Sequence, residues 1–125
     1  MSDNKLAQFA NQKYLNLESY RRDGQAARTP LWFVEDNGLL YFYTVAHSYK
    51  VKRIQNNPHV RVAPCDIRGN LKGEWVDGAA QRLDQVEARH ANDLLNRKYG
   101  LAKRALNFMA KIRGHERAAF AIRLD

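Results

Sequence analysis

The chain has 125 residues, 45% hydrophobic, 27% charged and 10% aromatic, which suits one hydrophobic core and excludes a disordered chain. Its 21 Lys and Arg against 13 Asp and Glu leave a net charge of +8, so an anionic partner is expected: nucleic acid, an acidic membrane surface or a phosphorylated small molecule. No apolar run approaches the ~18 residues of a membrane span, and the opening MSDNKLAQFANQKY carries acids and amides where a signal peptide needs an apolar stretch, so a cytoplasmic protein is expected.

A short N-terminal helix leads into KYLNLESYRR, where Tyr14, Leu15, Leu17 and Tyr20 form a strand-like run closed by an Asp23-Gly24 turn. QAARTPLWFVE follows as a second strand. Asn37-Gly38 is the strongest hairpin signal in the chain and delivers LLYFYT, a third strand ending at Thr44. Three strands joined by short turns predict an antiparallel meander.

HSYKVKRIQNNP, residues 47 to 58, then reads as a helix over 48 to 57, with Ser48 as N-cap, Val51 and Ile54 as an apolar pair and Pro58 as the stop. Its cations sit at the wrong end. Lys50, Lys52 and Arg53 fall in the first turn and a half, where free N–H groups and the macrodipole already make the site positive. A bound phosphate would remove that repulsion, because helix N-termini favour anions. Lys50, at the second helical position, and Arg53 share one side, whereas Lys52 points well away from both. Ser48 adds a hydroxyl, and Thr44 lies at the mouth of the same strand-to-helix connection. The plainer alternative is an exposed helix that tolerates a few tenths of a kcal/mol of unfavourable charge.

HVRVAPC is the fourth predicted strand and KGEWVDGAAQRL the fifth, with Gly78 and Gly73 suited to a bulge or a close backbone approach. Asp84 caps a helix whose Ala88, Ala91, Leu94, Leu95 and Tyr99 recur at helical spacing and which Gly100 closes. A second helix, LAKRALNFMAKIRG, keeps Lys103, Arg104, Lys111 and Arg113 outside its apolar stripe. RAAFAIRL ends the chain as a strand, with Ala118, Phe120, Ile122 and Leu124 alternating. Six strands with helices at their joints predict a mainly β, α+β fold closed as a small barrel, one domain over residues 1–125. The lone Cys65 is expected to be structural, and His47, His59, His90 and His115 lack metal-ligand spacing, so no metal is expected.

TPLWF at 29 to 33, YFYT at 41 to 44, SYKVKRI at 48 to 54, NPHVRVAPCDIRG at 57 to 69 and KYGL at 98 to 101 resemble, in that order, the pyridoxamine 5′-phosphate oxidase-related, FMN-binding split β-barrel superfamily. The resemblance is closest to its branch of flavin/deazaflavin-dependent oxidoreductases assigned to coenzyme F-420. It implies a homodimer of six-stranded antiparallel split barrels with cofactor clefts at the subunit interface. Lys50 then resembles the lysine that grips the cofactor phosphate, with Ser48 and Thr44 lining the pocket and Lys52 near the phosphate or coenzyme tail. Pro30 and Trp32 fall on the strand beside the isoalloxazine or deazaflavin ring. Tyr49 stands where the family often has Gly, so a bulky ring faces the phosphate entrance.

No triad, paired carboxylates or metal cluster is visible, which suits hydride chemistry carried by FMN or coenzyme F-420 on a small-molecule substrate. Two other readings stand beside this one: a non-catalytic flavin-binding protein, and a basic nucleic-acid-binding module motivated by the charge of residues 101 to 113. The chain lacks a helix-turn-helix, a zinc motif or an RNP-like strand that would favour the latter.

Overall fold

In the computed structural model, residues 2–46, 48–100 and 117–125 are described. Asn37 and Gly38 adopt φ of +52° and +85°, the left-handed pair a two-residue hairpin needs, and they join β3 (Val34–Asp36) to β4 (Leu39–Val45). The Asp23-Gly24 turn joins β1 (Tyr14–Tyr20) to β2 (Ala26–Trp32). The order is completed by α1 (Ser2–Ala7) before β1, α2 (Tyr49–Asn56), β5 (His59–Cys65), β6 (Val76–Arg82), α3 (Gln85–Tyr99) and β7 (Arg117–Leu124).

The strands form one antiparallel seven-stranded sheet in the order β2-β1-β5-β6-β7-β4-β3, rather than six strands opening with a meander. The two hairpins lie at opposite edges of the sheet, and the predicted second strand is broken at Phe33 between β2 and β3. The cause is local. Phe33 gives its backbone N–H to the Tyr99 hydroxyl at 2.9 Å, and its carbonyl accepts from Lys98 Nζ at 2.8 Å, so α3 takes hydrogen bonds that a sheet ladder would otherwise use. One residue thus carries the chain from one edge to the other, and the sheet curls into a half-barrel.

Alternation along the strands fills the interior with Leu15, Leu17, Leu40, Phe42, Val60, Val62, Phe120 and Ile122, and α2 adds Val51 and Ile54. Burying each such side chain contributes about 1.5–3 kcal/mol. The outer face of β3, β4 and β7 is covered by Ala91 and Leu95 of α3. That helix starts as its sequence predicts, with the Asp84 carboxylate accepting from Glu87 N–H at 2.8 Å, and Gly100 follows its end. Both prolines in strands are placed where a missing N–H costs little: Pro30 is on edge strand β2, and Pro64 lies beyond the stretch of β5 that pairs with β6. The helix predicted from Leu101 onwards, with its basic face, lies outside the described residues, as do His47 and His115.

Candidate functional site

Strand β4 presents Thr44, 9% exposed, on the same face as the core residues Leu40 and Phe42. Four residues on, Ser48 has the extended backbone of an N-cap (φ −72°, ψ 161°), but its side chain makes no capping hydrogen bond. This departs from the predicted cap. Ser48 Oγ is instead buried without a hydrogen-bond partner among the described residues, an arrangement that ordinarily costs about 1–3 kcal/mol.

The first turn of α2 contains no acidic residue. Lys50 is partly buried, and its pKa is lowered by desolvation and then by the charge of Arg53. Desolvation and the neighbouring Arg21 likewise lower that of Arg53, whose Nε donates to Ser19 Oγ at 2.7 Å. No described carboxylate pairs with Lys50, Lys52 or Arg53. Among the described residues, the repulsion read in the sequence is therefore uncompensated. Lys52 is exposed and points elsewhere, its ammonium 5.7 Å from the centre of the Tyr49 ring. It lines a cleft of about 370 Å³ with Arg21, Arg22, Arg53, Tyr20 and Tyr49, and Tyr49 is 77% exposed.

Pro30 and Trp32 sit on β2, but not beside the α2 cations. Arg53 reaches Ser19, which pairs with Ala27, whereas Trp32 pairs with Tyr14 at the far end. Five residues of strand separate the two levels, about 17 Å at the usual rise. Trp32 is not a core aromatic: it is partly exposed and stacks on Tyr99, ring centres 4.5 Å apart and 3° from parallel.

The outer face of β1 holds a cluster that sequence reading missed. Glu18, with 1% of its side chain exposed, accepts from Arg61 Nε at 2.6 Å, Tyr20 Oη at 2.7 Å and Arg28 Nε at 2.8 Å. Burial alone would raise its pKa, but the hydrogen bonds from Arg61, Tyr20 and Arg28 outweigh it and hold the carboxyl at about 2. Both guanidinium groups lie over Trp75, at 5.0 and 5.2 Å. Nothing local in the sequence marks this cluster; the pairing of β1 with β2 and β5 brings Arg28 and Arg61 to Glu18 and Tyr20.

Cys65 is buried, and desolvation pushes its thiol up to about 11, as befits a structural cysteine. His59 lies 3.2 Å from Asp77 and His90 3.3 Å from Asp36, both in local pairs. Among the described residues, no three His, Cys, Asp or Glu side chains gather as metal ligands, and no helix is long and apolar enough to cross a membrane.

Comparison with known proteins places this geometry. Residues 1–124 match the family described as pyridoxamine 5′-phosphate oxidase, whereas no curated protein sequence matches. Among solved structures, a conserved hypothetical protein of Mycobacterium tuberculosis superposes with a TM-score of 0.69 at 22% identity, over 99% of this chain and 84% of that one. A FAD-binding protein of Mesorhizobium loti gives 0.67 at 17% identity, over 100% and 88%. The heme storage protein HutZ of Vibrio cholerae gives 0.63 at 13%, over 98% and 89%. Likenesses at such identities establish the shared split-barrel fold.

Proposed function

Because the chain belongs to the pyridoxamine 5′-phosphate oxidase family, we propose that it is an oxidoreductase that uses FMN or coenzyme F-420 to move a hydride to or from a small organic substrate. The observation that carries this reading is the α2 entrance: among the described residues, its partly buried cations have no carboxylate partner and the buried Ser48 hydroxyl beside them has no hydrogen-bond partner. A phosphate supplies what both lack, a negative charge and hydrogen-bond acceptors.

In this reading Lys50, Ser48 and Thr44 hold the phosphate. Strand β2 then runs from the level that Arg53 reaches to Trp32, about 17 Å at the usual rise, along which an elongated flavin or deazaflavin is laid out. When bound, the tricyclic ring supplies the hydride chemistry. The residues of the chain fix its orientation and exclude water, and no side-chain acid or base is required. Lys52, with Arg21 and Arg22 in the adjoining cleft, faces any anionic extension of the cofactor, which F-420 carries and FMN lacks.

A second copy of the chain is proposed to complete the cleft. Ile67 and Leu71, 68% and 47% exposed, belong to the loop whose Gly69 approaches Pro30, an apolar edge beside the ring position that a partner would cover. The reading is tested by titrating purified protein with FMN, F-420 and, as a control, hemin, while following absorbance and sedimentation. Binding of either flavin by a species of about twice 14.5 kDa is expected. Binding of DNA at physiological salt with neither flavin bound would overturn it.

A further inference from the structure

At the far end of β2 from the α2 cations lies a pocket of about 480 Å³, within the range of small-molecule sites. Its walls are aromatic. Tyr14, Trp32 and Tyr99 line it, Tyr99 stacks on one face of Trp32, and Tyr14 leans 49° from Trp32 with ring centres 6.5 Å apart. No other described ring stacks on Trp32.

The remaining described lining is cationic and amide: Lys13, Lys98, Asn11 and Gln12, without a described carboxylate. Lys98 is exposed as a residue, and its ammonium lies 3.8 Å from the centre of the Phe33 ring and 5.2 Å from that of Tyr99. One of its three N–H bonds goes to the Phe33 carbonyl, which leaves two donors. Desolvation lowers its pKa to about 8, and no described carboxylate pairs with it.

A ring that slides against Trp32 gains stacking, and an anionic substituent on that ring meets an ammonium that no described carboxylate pairs with. We infer that this pocket binds a planar aromatic carboxylate, with Trp32 as the stacking surface and Lys98 as the anion contact. Calling that ligand the substrate rests on the cofactor reading above, which lays the redox ring along the same strand; the binding itself does not. A purely structural Lys98, latching the carbonyl of Phe33, would have no preference for ligand charge.

Isothermal titration of the cofactor-free protein with 4-hydroxybenzoate and with its uncharged amide, 4-hydroxybenzamide, separates these cases. The carboxylate should bind about tenfold tighter or more, as a charge-assisted contact implies. That preference should vanish in Lys98→Met and survive in Lys50→Ala. It should also fade as pH rises above 8 and the ammonium discharges. The other titratable groups facing Lys98 are Lys13 from the segment before β1, Tyr14 of β1 and Tyr99 of α3, and burial holds the Tyr99 phenol well above its usual value. Equal binding of acid and amide by the wild type overturns the inference without any variant having to fold. So does a preference that persists in Lys98→Met or disappears in Lys50→Ala. The cofactor reading is judged separately, by flavin titration of Lys50→Ala.

Discussion

The Tyr99 hydroxyl accepts the backbone N–H of Phe33 at 2.9 Å and lies 2.6 Å from the carbonyl of Lys13. One side chain at the end of α3 therefore pins both the β2-to-β3 passage and the segment entering β1. Phe33 is fully buried, so water cannot replace the lost partner if the hydroxyl is removed. Tyr99→Phe should cost about 1–3 kcal/mol, the usual penalty for an unsatisfied buried donor. Urea denaturation should show a lower midpoint with an unchanged slope.

Glu18 makes stability depend on acid in a defined direction. Its folded pKa of about 2 lies below the ordinary 4.5, so its contribution is complete above pH ~4.5 and is lost as pH falls towards 2. The shift corresponds to about 2–3 kcal/mol once solvent screening at the half-exposed Arg28 is allowed for. Glu18→Gln should lose this stability already at neutral pH. Urea midpoints measured between pH 6 and pH 2.5 should fall steeply for wild type and more gently for the variant.

Gly78 tests a close approach between strands β6 and β7. A Cβ there would stand 2.7 Å from the carbonyl oxygen of Arg123 on β7 and 3.2 Å from Ile122 Cγ2. Backbone oxygen in a paired strand cannot step aside cheaply. Gly78→Ala should therefore destabilise by about 1–3 kcal/mol, like other overpacking changes. The neighbouring exposed Ala79→Ser is the control and should stay within about 0.5 kcal/mol in thermal melts.

Much of the fold was legible because its signals are local. The Asn37-Gly38 turn, the Asp84 cap and the alternation of Ala118, Phe120, Ile122 and Leu124 each depend on a few adjacent residues. The break at Phe33 was not legible. Its cause lies 65 residues downstream in Lys98 and 66 in Tyr99, and TPLWFVE alone reads as one continuous strand. Glu18 escaped for the same reason: its value comes from facing Arg28 and Arg61 across two ladders. The cations of α2 were legible as an oddity of charge on a helix end. Sequence could not foresee that Ser48 would find no hydrogen-bond partner among the described residues, or that β2 would set Trp32 about 17 Å along the strand from the level that Arg53 reaches.

Lys50 decides the cofactor reading. Its partly buried ammonium, already disfavoured by desolvation and by Arg53, should gain a counter-charge only when a phosphate arrives. Lys50→Ala should lower FMN or F-420 affinity about tenfold to a hundredfold, the worth of one charge-assisted hydrogen bond of roughly 1.5–3 kcal/mol. The cofactor-free variant should be as stable as wild type or slightly more so, since a cation at a helix N-terminus is unfavourable. Lys52→Ala is the internal control. Its side chain is exposed and rests by Tyr49, so FMN affinity should change little, whereas F-420 affinity should fall if Lys52 meets an anionic extension of that cofactor. A surface-helix origin for these cations would give the same stability change with no loss of affinity. Equal binding of both flavins by wild type and Lys50→Ala would remove the phosphate assignment and the cofactor alignment along β2 that follows from it.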